Sequence, residues 1–218
     1  MKLLIISQHL AMEDPGQDNL FQLAKAHTDE GQQATVITAR KPGYADTGKR
    51  EKKILMEMKD GVLMLHLNIP YEHEMGLMAK LNVFYRYARQ VRKVGRSIPK
   101  PDVIIAASPP PTVSLAAAYL SRRFKVPLVL NISELYSDNL ARKGGITVSI
   151  VAKITGLMDR LAYARASIIT AGSESVYSVM EERYGPAKKV TLIEDSLIGK
   201  SKIYNSYRML LDSLHKKR

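Results

Sequence analysis

The sequence predicts an α/β protein built on a doubly wound, mostly parallel sheet with an amphipathic helix at its C-terminal end. Short runs that are apolar at nearly every position recur along the chain, stretches of helical periodicity separate them, and turn residues mark most junctions. Continuous apolar runs are what strands covered on both faces require.

Lys2 to Ser7 is the first such run, and Leu20, Leu23, Ala24 and His27 follow at helical spacing with Gly31 as the closing residue. Ala34 to Thr38 reads as a second buried strand, and the polar segment from Gly43 to Lys53 as a loop. Residues 53–58 and 62–67 flank Asp60-Gly61, the pattern of a hairpin closed by a two-residue turn. A long helix is expected over Met75 to Ser97, a strand over Asp102 to Ala107, an Ala-rich helix over Thr112 to Arg123 and a strand over Pro127 to Ile132. Helix 148–165, strand 166–171, helix 173–184 and strand 189–193 complete the alternation. Ile203, Tyr207, Leu210, Leu211 and Leu214 then form one apolar stripe on a last helix, which has to dock on something. The organisation expected is a domain over 1–198 with the helix of 199–218 packed on it. Ligands of such sheets bind beyond the carboxyl ends of the strands, which directs attention to the turns after Ser7, Thr38, Ala107, Ile132 and Ala171.

A chain of 218 residues buries enough surface to stand without crosslinks or metals. The absence of cysteine excludes a disulfide framework, a thiolate zinc site and a cysteine nucleophile. No apolar run reaches the length of a membrane span. The formal net charge of +12 implies attraction to polyanions. No RNP sequence, zinc finger or helix-turn-helix accompanies it, so nucleic acid is not expected as a partner, and anionic lipid or phosphorylated ligands come first.

Several motifs fail on inspection. Gly43 to Lys49 imitates a phosphate-binding loop, but Arg50 stands where Ser or Thr must hold magnesium, and a strand follows where a helix is needed. No G-x-G-x-x-G occurs. Ser173 lacks the flanking glycines of a nucleophile elbow and is better read as a helix N-cap, with Glu174 complementing the dipole. The five histidines show no metal-ligand spacing, so no metal is expected. Three loops remain: Gln8 to Gln17, Ser108 to Pro111, and Asn131 to Asp138, whose Glu134, Asp138 and Tyr136 would be costly to bury idle. Between Met75 and Pro101 there is no acidic residue, while Lys80, Arg86, Arg89, Arg92 and Lys93 lie beside an apolar stripe. Such a helix can face an anionic membrane with its basic edge while its apolar stripe faces the core.

The order and wording of these segments resemble the N-terminal domain of family-4 GT-B glycosyltransferases of bacterial capsule and O-antigen biosynthesis. Lys2 to Gln8 is similar to their first strand and acceptor loop. Leu23-Ala24-Lys25 through Gly31 to Thr38 resembles their "LAxxLxxxGHEVTVIT" stretch. Asp102 to Pro110 and Val126 to Asp138 resemble the "DVIIxSSPP…PFVxxxxDLWPE" signature, and residues 161–193 their last N-domain elements. Departures are Ser133 where many relatives carry His or Arg, Tyr136-Ser137 for Trp-Pro, and Glu194-Asp195-Ser196 for Pro-Asn-Gly.

The resemblance implies a Rossmann-like, acceptor-binding half of a retaining glycosyltransferase, inactive alone. The nucleotide-sugar would be bound by a missing or separate donor domain, and this chain itself would need no cofactor. The acceptor would be a sugar, typically on an undecaprenyl diphosphate carrier, handled at the cytoplasmic face of the cell membrane by a peripheral protein. The acceptor loop then falls near Glu13, Gly16 and Gln17, and the cleft is lined by Ser108, Ser133, Glu134, Asp138 and Ser173. Two other readings are a membrane-anchoring subunit of a split transferase and a polyanion-binding Rossmann-like protein without transferase activity.

Overall fold

A computed structural model describes residues 1–8, 18–39, 53–69, 74–185, 187, 189–194 and 200–215. The elements run β1 (Lys2–Ile6), α1 (Asn19–Asp29), β2 (Gln33–Ala39), β3 (Ile54–Lys59), β4 (Val62–Leu67), α2 (Leu77–Gly95), β5 (Val103–Ser108) and α3 (Pro111–Phe124). They continue with β6 (Leu128–Ile132), α4 (Tyr136–Arg142), α5 (Ile146–Arg165), β7 (Ile168–Ala171), α6 (Glu174–Tyr184), β8 (Lys189–Leu192) and α7 (Lys200–His215). The strands form one sheet in the order β3-β4-β2-β1-β5-β6-β7-β8. Every pairing is parallel except that of β3 with β4. The predicted fold class is therefore the observed one. The hairpin turn also falls where the sequence places it: Asp60 and Gly61 both adopt positive φ, 48° and 79°, as a two-residue turn between right-twisted strands demands.

Side-chain alternation sorts the core into two layers. Leu4, Ile6, Ile37, Leu65, Ile104, Leu130 and Ile169 pack under α2, α3, α5 and α6. Leu3, Ile5, Val36, Met64, Ile105 and Val129 pack under α1 and α7. α1 begins at Asp18, whose carboxylate accepts from the N–H groups of Leu20 and Phe21 and so relieves the unpaired donors of the first turn. α2 buries Val83, Phe84, Tyr87, Val91 and Val94, and the Tyr87 hydroxyl donates to the Ile37 carbonyl at 2.9 Å. The apolar stripe of α2 is thus spent on the core. Arg86, Arg89, Arg92 and Lys93 lie exposed on its back, with the Arg92 guanidinium stacked 4.1 Å from the Tyr119 ring centroid.

Two local readings change. The stretch after β6 is not loop throughout: Tyr136–Arg142 forms the short helix α4, and α5 starts at Ile146 behind Gly144 and Gly145, both at positive φ. Weak helix propensity had hidden α4, because Tyr, Ser, Asp and Asn open it. Most of the 43–53 segment lies outside the described residues.

The last helix lies against α1, with Tyr207, Leu210 and Leu211 buried in the second layer. Its contact is also polar, since Tyr207 Oη lies 3.3 Å from Thr170 Oγ1, which donates to Asn131 Oδ1 at 3.0 Å. Tyr207→Phe, which leaves that network short of one hydroxyl, is expected to cost about 1 kcal/mol. Tyr207→Ala, which opens a cavity, should cost about 3–5 kcal/mol. Urea denaturation of both variants checks this, and an Ala variant as stable as the parent would mean that α7 is not docked in solution.

Candidate functional site

Strand order reverses at β1: β2 and β4 lie on one side of it, and β5 to β8 on the other. Connections therefore depart in opposite directions from the carboxyl ends of β1 and β5, the position at which sheets of this kind bind ligands. The register keeps this edge level. Ile6 pairs with Ala106, Ser108 with Ile132, and Ile132 with Ala171. Beyond the last pairs, Ser133 N–H donates to the Ser108 carbonyl at 3.0 Å and Gly172 N–H to the Ile132 carbonyl at 2.9 Å. The turns after Ser7, Ala107 and Ile132 accordingly emerge along one edge.

Gln8 and Ser108 close β1 and β5 at that edge, each 2% exposed. By alternation both belong to the face carrying Ile6 and Ala106. Neither polar atom of the Gln8 side chain has a hydrogen-bond partner, and the same holds for the hydroxyls of Thr112 and Ser114 in the first turn of α3. α3 starts with Pro111 and no side-chain cap. A buried polar group without a partner costs about 1–3 kcal/mol, so each of these groups lowers stability unless a ligand or water pairs it.

Of the residues predicted for the cleft, Ser108 and Ser133 are joined directly through their backbones, and Glu134 is exposed in the turn that follows. Ser173 caps α6 by accepting from Val176 N–H at 3.4 Å, as its N-cap reading requires. Glu13, Gly16 and Gln17 lie outside the described residues. Asp138 is engaged by a cation. Both its oxygens accept from Arg183, at 3.3 and 2.8 Å, and it lines a cavity of about 570 Å³ among α4, α5 and α6 that none of Ser108, Ser133 and Glu134 lines.

That cavity contains a carboxylate the sequence analysis passed over. Asp159 of α5 is 4% exposed; its Oδ2 accepts from Ser137 Oγ at 2.7 Å, and its Oδ1 has no partner. Burial pushes its pKa up to about 6, against the restraining hydroxyls of Ser137 and Tyr163. Burial, and then the neighbouring Asp159, also raise the Tyr163 phenol. The signal in the sequence was its solitude, since Asp159 is the single acidic residue between Leu140 and Arg165. The folded chain holds the Asp159 proton more tightly than the unfolded chain, whose pKa is near 3.8. Stability therefore falls as pH rises from about 4 to about 6, by up to about 3 kcal/mol. Asp159→Asn removes the penalty, so its Tm advantage over the parent should be larger at pH 7.5 than at pH 5. Equal advantages at both pH values would refute the buried, proton-retaining carboxyl.

The fold is shared with known structures. A sucrose-phosphate synthase structure from Thermosynechococcus elongatus superposes with a TM-score of 0.58 over 96% of this chain and 97% of that one, at 11% identity. Arabidopsis thaliana UGT89C1 complexed with quercetin gives 0.52 over 88% of this chain, also at 11% identity. HepE of Anabaena, in complex with UDP and glucose, gives 0.48 over 89% at 16% identity. This chain spans about half the length of the last two, 49% and 44%. No curated protein sequence matches. The family model described as a glycosyl transferase 4-like domain matches residues 19–195, and the chain belongs to that family.

Proposed function

We propose that this chain is the acceptor-binding half of a retaining glycosyltransferase, with the acceptor seated in the crevice between β1 and β5. Family membership supplies the reaction class. The observation that supports the location is the group of buried polar atoms without partners at Gln8, Thr112 and Ser114, beside Ser108. An acceptor's hydroxyls would give them what the fold withholds, and the rigid sheet edge would hold the reacting oxygen in place. The nucleotide-sugar comes from a second lobe or a separate polypeptide, without which this chain performs no transfer. Glu134, on the turn after β6, and Ser173, at the start of α6, stand at the same edge and would face that lobe.

The acceptor we favour is a glycan on a polyprenyl diphosphate carrier, of the kind used in capsule or O-antigen assembly, met at the cytoplasmic face of a membrane. The net charge of +12 supports it, as does the exposed basic back of α2.

Gln8→Leu tests the crevice. Replacing an unpartnered buried amide by an apolar side chain should raise stability by about 1–3 kcal/mol. The same change should weaken binding of a soluble short-chain polyprenyl diphosphate glycan about tenfold or more, measured by calorimetry. Unchanged binding would remove Gln8, and the crevice with it, from the proposal. Charge reversal at Arg86, Arg89 and Lys93 should release the protein from anionic liposomes in a sedimentation assay. Undiminished retention would remove α2 from the membrane contact.

A further inference from the structure

The solvent face of α5 is the wrong kind of surface for a helix surrounded by water. Ile146, Ile150, Ile154, Leu157 and Leu161 are between 51% and 84% exposed. Their spacing of four, four, three and four residues draws one stripe along the helix, about 22 Å long at 1.5 Å per residue. Single exposed aliphatics need no explanation, but a continuous row on one helix marks an interaction surface. The core does not need these side chains, because α5 buries Val151, Ala152, Thr155, Asp159, Ala162 and Tyr163 on its other side.

Charge identifies the partner. Lys153 and Arg160 are exposed within the stripe, and Arg142 and Lys143 are exposed just before it. The one carboxylate of the 140–165 segment, Asp159, is buried. Along α5 itself the exposed face is therefore aliphatic and cationic, and the part-exposed Asp138 beside it is already paired with Arg183. Two copies meeting through it would set Lys153 and Arg160 of each against the same cations of the other, which disfavours self-association. No described helix is long and apolar enough to cross a bilayer. An aliphatic row edged by lysine and arginine fits a surface that is apolar beneath and anionic above, which is the interface of an anionic phospholipid bilayer.

We infer that α5 supplies the apolar part of the membrane contact proposed above for the basic back of α2, a reading on which this inference rests: the row from Ile146 to Leu161 enters the acyl boundary while Lys153 and Arg160 meet lipid phosphates. Nothing in this depends on the crevice at Gln8, so soluble acceptor binding and vesicle seating succeed or fail separately.

The chain contains no tryptophan, so a single one reports its own surroundings. Ile154→Trp places it in the row, and Met209→Trp on exposed α7 serves as control. With phosphatidylcholine–phosphatidylglycerol vesicles, emission of Ile154→Trp should shift to the blue and be quenched by brominated acyl chains. Met209→Trp should not respond, and neither should respond to phosphatidylcholine alone. A double Ile150→Ser, Leu157→Ser variant should partition onto the anionic vesicles about tenfold or more weakly, with unchanged thermal unfolding. Three results would overturn the inference. They are no response of Ile154→Trp to the anionic vesicles, undiminished partitioning of the double Ser variant, or a blue-shifted Ile154→Trp without vesicles in a protein of doubled mass, which would make the row a contact between copies.

Discussion

The placement of β1 is the constraint on which the rest of the structure depends. It is hydrogen-bonded on one edge to β2 and on the other to β5, while Leu3 and Ile5 fill one core layer and Leu4 and Ile6 the other. A strand enclosed on four sides tolerates no polar side chain along its length, so polarity can return only where it ends. It returns at Ser7 and Gln8, at the one point of the sheet where successive connections part. The reversal is thus a product of the winding, and what the sequence decides is which groups stand there.

Those groups weigh against stability. Gln8 and the α3 hydroxyls are desolvated without protein partners, and Asp159 is buried beside two hydroxyls with one oxygen unmatched. Elsewhere the chain is orderly: Asp18 and Ser173 cap their helices, and Asp60-Gly61 closes the hairpin as its chemistry demands. Among the described residues the Thr38 hydroxyl on β2 is also buried without a partner, so the disagreement with local rules extends along the sheet as well as into one cavity.

Much of the architecture was legible because period and punctuation are local. The runs at Lys2, Ala34 and Asp102, the helices ended by Gly31 and by Pro99, and the two-residue hairpin turn all declare themselves within a few residues. The site was legible only in outline. That turns after β5 and β6 share an edge follows from alternation, and Ser108 and Ser133 do meet there. The pairing of Asp138 was out of reach, because Arg183 lies 45 residues further on and no local rule joins α4 to α6. The exposed row of α5 was invisible for a different reason. An apolar stripe announces that a helix has something to bury against, and the sequence does not say whether the chain supplies it; in α5 apolar residues lie on both sides.

The hydroxyl of Tyr207 gives the last helix a particular character. A helix held by aliphatic contacts alone can slide by a turn, about 5.4 Å, and keep most of its buried area. One whose phenol must find Thr170 on β7, which in turn bonds Asn131 on β6, is held in one rotational phase. α7 therefore acts as an indexing pin, its phenol fixing where the last helix seats on the sheet.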